Sequence, residues 1–303
     1  GCKFSPNGLY LQKNIYMKNL YKNEQAKTAI MSLYEEKLKS LQIDYEEIDV
    51  NTSFGKTRII KTGNESGKLI VLFHGINAGA PLTLEAVKDL RKDYLLFAID
   101  TIGQATMSDE NRINIKDNSY AIWAEEVLSQ LRIKEAFFIG ISYGAYILQK
   151  LVKYKPVIVK KCIFVVPSGL VNGKIGVSIT KLSLPLIRFL ITKKDAHLKK
   201  FIKAFVPEED EFMFRLQKAL LTGLNMDYRR PILLEEKDVQ NFISPVYIIV
   251  ADNDVFFPGY EAINRVKKIF KNFKEAHILK QCKHMPSKVD YLEIQQKIKD
   301  WIE

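Results

Sequence analysis

The pentad Gly140-Ile141-Ser142-Tyr143-Gly144 is the clearest place in this chain for nucleophilic chemistry. Residues 136–141 form a short apolar run rich in aromatic and β-branched side chains, the pattern of a buried strand. Residues 145–154 carry apolar side chains at helical spacing. A chain that passes so abruptly from strand to helix forces the serine between them into a strained backbone and holds its hydroxyl outward. Glycines on both sides let the two arms approach. The helix N-terminus aims free N–H groups at the same point. The bare pentad arises easily by chance; the strand before it and the helix after it give it weight.

A serine hydroxyl attacks a carbonyl only when a base removes its proton and a third group holds that base in the right tautomer. Two later stretches offer those groups. Asp252-Asn253-Asp254 follows the apolar run 246–251, and Cys282-Lys283-His284 follows the run 276–279. Both stand just past the C-terminal end of an expected strand, on the edge where Ser142 sits. Of the two acids, Asp252 falls at the strand end, where backbone groups engage it. Asp254 lies further into the loop and is freer to reach His284. Lys283, beside the base, is expected to favour neutral imidazole by charge repulsion if the two side chains approach.

The hydrophobic pattern supplies the elements that position these residues. Residues 24–41 have helical spacing behind Asn23, an N-cap type. Residues 45–50 and 57–61 read as short strands joined by a turn. Strands at 69–73, 95–100, 136–141, 162–166, 246–251 and 276–279 then alternate with helices near 82–90, 119–131, 145–154, 259–271 and 287–302. This predicts an α/β fold with a mostly parallel eight-stranded sheet flanked by helices. The segment 168–243 lacks strand character and is too long for a crossover. It is expected to form a helical cap, inserted after the sixth strand, over the strand ends where open α/β sheets carry their sites. Residues 1–303 otherwise read as one domain.

Composition narrows the function classes. The net charge is +11 over 303 residues, but lysine greatly outnumbers arginine and is interspersed with Glu and Asp. That is a lysine-rich surface rather than a nucleic-acid footprint. Cys2, Cys162 and Cys282 are far apart and suggest neither a disulfide framework nor zinc. His74, His197, His277 and His284 lack metal-ligand spacing with one another, so no metal or organic cofactor is expected. No apolar run approaches the length that spans a bilayer. Gly1-Cys2 reads either as an added glycine or as the end of a bacterial lipoprotein signal. The corresponding locations are cytoplasmic, or lipid-anchored outside the cytoplasm. Phe54-Gly55-Lys56-Thr57 lacks the full phosphate-loop pattern and joins two strands, so it is not read as a nucleotide site.

Taken together, Phe54-Gly55-Lys56-Thr57, His74-Gly75, Asp100-Thr101-Ile102-Gly103, Gly140 to Gly144, Asp254 to Pro258 and His284-Met285-Pro286 resemble the α/β-hydrolase superfamily. The resemblance covers about residues 45–302 and is narrowest to its bacterial carboxylesterase-like branch with a helical cap. It implies Ser142 as nucleophile, His284 as base and then acid, and Asp254 as the orienting carboxylate. The backbone N–H groups of Ile76 and Tyr143 would form the oxyanion hole. The substrate implied is a small-molecule ester with an apolar acyl group. The branch often has glycine or another small residue before the acid and the histidine; this chain has Ala251 and Asn253, and Cys282 and Lys283.

Other readings stay open from sequence. The same three residues serve thioesterases, amidases, acyltransferases and carbon–carbon hydrolases, and the fold also hosts non-catalytic binding proteins. His74 is expected to shape the oxyanion loop, whereas His197 and His277 read as solvated or structural. Residues 170–206 interleave Lys174, Lys181, Arg188, Lys193, Lys194, Lys199, Lys200 and Lys203 with Leu, Ile and Phe, opposed only by Asp195. A cap that lays its apolar stripe over the pocket is favoured over membrane-surface contact.

Overall fold

The computed structural model describes residues 19–303, so the expectation for Gly1-Cys2 lies outside it. Helix α1 (Glu24–Ser40) starts where Asn23 accepts the Ala26 N–H at 2.8 Å, and it buries Ile30, Leu33 and Leu38. Eight strands follow: β1 (Glu46–Thr52), β2 (Gly55–Gly63), β3 (Leu69–Phe73), β4 (Leu95–Ile99), β5 (Ala136–Ile141), β6 (Val159–Val165), β7 (Val246–Ala251) and β8 (Phe273–Leu279). They form one sheet in the order β1-β2-β4-β3-β5-β6-β7-β8. β1 and β2 run antiparallel to their neighbours, and every other pairing is parallel.

The central strands are almost wholly apolar because both of their faces are covered. Phe73, Phe138 and Phe164 pack on one face with Trp123 of α3 (Ser119–Gln130) and Leu148 of α4 (Tyr143–Tyr154). Ile70, Leu72, Ile139 and Ile163 pack on the other with Leu84 of α2 (Gly79–Ala86) and with Ile298 and Trp301 of the C-terminal helix Lys288–Ile302. From β3 the chain crosses to β4 on one side and returns to β5 on the other side of β3. That reversal leaves a crevice at the C-terminal ends of β3 and β5, where α/β sheets bind ligands.

The segment between β6 and β7 departs from expectation in two ways. Only its first part is helical, with helices at Ile175–Thr192, Asp195–Ile202 and Glu211–Gly223. From 224 to 235 it returns without regular structure, tied by the Asn225 N–H to Leu20 O and the Leu234 N–H to Gly169 O, both 2.9 Å. Moreover, Ile175–Thr192 is long and apolar enough to cross a membrane by length and composition alone. The sequence pattern hid this because Ser, Thr, Lys181 and Arg188 interrupt every apolar run there. Its apolar residues also do not all turn inward. Leu182, Pro185 and Phe189 are buried, while Ile175, Ile179, Leu184, Ile187 and Ile191 face solvent.

Candidate active site

Ser142 sits between β5 and α4 with φ 51° and ψ −113°, a conformation that costs a non-glycine residue about 1–3 kcal/mol. The surroundings enforce it. Ser142 N–H donates to Val165 O of β6 at 2.9 Å, and Ser142 O accepts from Ala145 N at 3.0 Å and Ser168 N at 3.1 Å. The glycine expectation has a steric basis at both positions. A Cβ on Gly144 would lie 2.0 Å from Phe73 O, and one on Gly140 would lie 2.6 Å from Ala145 Cα.

The turn delivers the Ser142 hydroxyl to the imidazole of His284, with Oγ 2.9 Å from Nε2. On the far side of the ring, Nδ1 lies 2.7 Å from Asp254 Oδ2. The other carboxylate oxygen, Oδ1, accepts the N–H groups of Phe256 at 2.7 Å and Phe257 at 3.0 Å, which fixes its rotamer. The Asp254 side chain is only 1% exposed and that of His284 12%. Phe256 and Phe257 pack against the imidazole in T-shaped contacts at centroid distances of 4.9 and 5.4 Å. The structure therefore brings Ser142, His284 and Asp254 into one hydrogen-bonded line.

Asp252 has a different task. Its carboxylate accepts Gln281 N–H at 3.0 Å and Cys282 N–H at 3.1 Å, and Asn253 N–H donates to Cys282 O at 2.9 Å. The loops after β7 and β8 are thereby laced together, which sets the spacing between Asp254 and His284. The approach of Lys283 to the imidazole, on which its expected influence depended, does not occur. Its ammonium turns from the imidazole to the carbonyls of Lys203 at 2.7 Å and Val206 at 3.2 Å, because the helix Asp195–Ile202 ends there with unpaired carbonyl groups.

The loop after β3 faces the elbow. His74 is fully buried; its Nε2 accepts Thr101 N–H at 2.8 Å and its Nδ1 donates to Gly75 O at 2.6 Å. Burial drives its pKa down to about 4, so the ring is a neutral brace. Asn77 holds the left-handed conformation at φ 52°, accepts Ala105 N–H at 3.0 Å through Oδ1 and donates its own N–H to Gln104 Oε1 at 2.6 Å. Buried Asp100 accepts the N–H groups of Ala80 at 2.8 Å and Met107 at 3.1 Å, and burial raises its pKa to about 6. Sequence reasoning missed the Asn77–Gln104 brace. The asparagine in a tight turn was its one local sign; its partner lies 27 residues away.

A cleft of about 40 Å³ opens beside Ile76 and Tyr143. Leu20, Leu224 and Met226 line it together with Gln104, Arg112 and Arg229, so its lining is mixed. Gln104 Nε2 and Arg112 Nε there are buried without a hydrogen-bond partner. Elsewhere, the Thr57 hydroxyl, in β2, accepts the Trp123 indole N–H at 2.9 Å, a core contact. His277 pairs with Glu293 at 2.5 Å. Cys162 and Cys282 are buried, which pushes both thiols up. Among the described residues no group of three or more His, Cys, Asp or Glu side chains could hold a metal ion.

A parallel sheet that turns sharply through a serine at its switch point, with histidine and carboxylate on later strand ends, defines a class as well as a site. The family described as alpha/beta hydrolase fold matches residues 68–291, and the chain belongs to it. Its relatives include the uncharacterized carboxylesterase nap of Bacillus subtilis (strain 168), 20% identical over 262 residues that cover 84% of this chain and 85% of the relative. The carboxylesterase YbfK of the same organism is 19% identical over 265 residues, covering 84% and 86%. The solved structure of naproxen esterase from Bacillus subtilis has a TM-score of 0.78 at 18% identity, covering 91% of this chain and 98% of the other.

Proposed function

We propose that the protein is a serine hydrolase that cleaves small-molecule carboxylic esters through an acyl-enzyme. The observation that carries this reading is the unbroken line from Ser142 Oγ to His284 at 2.9 Å and on to Asp254 at 2.7 Å. His284 Nε2 takes the hydroxyl proton as Oγ attacks the ester carbonyl carbon. The carbonyl oxygen gains negative charge and is held by the N–H groups of Ile76 and Tyr143. Each such donor contributes on the order of 3 kcal/mol in comparable sites. Collapse breaks the ester C–O bond, and the departing alcohol takes the proton from His284. Water then attacks the acyl-enzyme with His284 as base, releasing the acid and restoring the serine. Asp254 holds Nδ1–H and stabilises the imidazolium formed in each half-reaction.

The insertion between β6 and β7 supports a cap role. Phe205 and Phe256 pack in the same cluster as its helices, and the Met285 N–H donates to Phe205 O at 2.9 Å. The relatives named as carboxylesterases favour an ester over other acyl bonds. The mixed lining of the cleft favours an ester that carries a polar acceptor near its apolar portion. The test is labelling with a fluorophosphonate probe, alongside turnover of an ester, thioester and amide series with matched acyl groups. Labelling and ester turnover are expected in the parent and absent in Ser142→Ala. Labelling that persists in Ser142→Ala, or a parent that neither labels nor turns over, overturns the proposal.

A further inference from the structure

The helix Ile175–Thr192 carries a second apolar face that the described residues leave exposed. Inward, Leu182 and Phe189 join Leu198, Phe201 and Ile202 in one cluster. Outward, Ile175, Ile179, Leu184, Ile187 and Ile191 are 78, 54, 43, 52 and 76% exposed. The five-residue step from Ile179 to Leu184 falls in the wide-turn stretch Ser178–Ser183, which keeps the outer stripe aligned. Lys174, Lys181 and Arg188 recur at seven-residue spacing beside this stripe, and Lys193 and Lys194 close its C-terminal end. Lys174 reaches Glu261 at 3.9 Å, and nearby Asp195 is taken up by Lys218 at 2.8 Å. Among the described residues, Lys181, Arg188, Lys193 and Lys194 have no carboxylate partner.

We propose that this face docks on an anionic phospholipid surface. The helix lies in the interfacial plane with its outer isoleucines and Leu184 at the acyl boundary and its cations among the phosphates. The charge pattern selects this occupant. A second copy packed face to face across a two-fold axis would set the cationic border against itself. A spanning orientation would strip the inner face from its cluster and carry Lys181 and Arg188 into hydrocarbon. The docked segment also rests on the residues around His284, since Phe256 and Met285 pack against the same cluster. Docking would thus hold the candidate active site at a surface rich in acyl esters. That last link rests on the proposed hydrolase activity; the docking itself does not.

The test is flotation of the full chain with vesicles of phosphatidylcholine alone or mixed with phosphatidylglycerol. The parent is expected to float with the mixed vesicles, less with phosphatidylcholine alone, and less again as salt rises. Lys181→Gln with Arg188→Gln should lower partition to the anionic vesicles by roughly tenfold or more. Ile187→Asp with Ile191→Asp should abolish it while turnover of a short soluble ester is retained. If that pair misfolds by circular dichroism, Ile187→Ser and Ile191→Ser read the same face singly. Ser142→Ala should float like the parent, so a failed hydrolase assignment leaves the result readable. No flotation with either vesicle, or flotation insensitive to the isoleucine changes, overturns the proposal. A lipid-free dimer dissolved by those changes overturns it as well.

Discussion

The strand ends that carry Ser142, Asp254 and His284 are held from every side, whereas the helix Ile175–Thr192 is held from one. At the strand ends the side chains of Ser142, His284 and Asp254 are joined in one hydrogen-bonded line. Asp254 accepts two backbone N–H groups besides His284, Asp252 braces the histidine loop, and buried His74 and Asp100 tie down the loops opposite. Along the helix and at its C-terminal end, five large apolar side chains meet solvent, and among the described residues Lys181, Arg188, Lys193 and Lys194 have no carboxylate partner. The first pattern is preorganisation, which fixes reacting groups before a substrate arrives. The second is an apolar surface that the described residues leave uncovered.

This contrast breaks most sharply at the acid. Asp254→Asn preserves shape but favours the wrong imidazole tautomer, and the equivalent change in a serine protease costs ~10⁴ in kcat. The expected outcome is a loss of that order with an unchanged denaturation midpoint. Asp252→Asn should cost mainly stability, because its carboxylate holds backbone rather than imidazole. Ester kinetics and urea unfolding of both variants check this, and the reverse pattern would move the acid to Asp252.

Next comes packing at the elbow. Gly144→Ala drives a methyl group toward Phe73 O, an atom fixed in a central strand. A destabilisation of ~3 kcal/mol or more is expected, measurable as a lowered urea midpoint.

A comparable but pH-dependent effect is expected from the braces. Asp100, raised from 3.8 to about 6, keeps a proton in the folded state that the unfolded chain has already released. Its contribution to stability is greatest below about 4 and is lost as pH rises through 6. His74, lowered from 6.5 to about 4, does the opposite: its contribution is present above 6.5 and is lost as pH falls through 4. The two slopes oppose each other across this window, each worth about 3 kcal/mol. Asp100→Asn removes one of them. Its stability should therefore fall faster on acidification than that of the parent between pH ~6 and ~4, read from urea midpoints.

The smallest effect belongs to the insertion. Ile191→Ser should change unfolding free energy by no more than ~0.5 kcal/mol, since its side chain is 76% exposed. A clearly larger loss would mean that the outer face is buried against something in solution.

Much of this protein was legible in its sequence. Local signals determined it wherever neighbouring residues make the decision. The apolar runs 69–73 and 246–251 became β3 and β7 with those bounds, because a strand buried on both faces admits no polar residue. Asn23 and the pentad likewise carry their geometry within a few residues. Only the tertiary structure decided what depends on distant partners. Whether Lys283 faces the imidazole was settled by carbonyls at Lys203 and Val206, and how Asn77 is held by Gln104. The split of the insertion's apolar residues between an inner and an outer face was decided the same way. Hydrophobicity marks a residue as wanting to leave water; which surface receives it depends on packing across the whole chain.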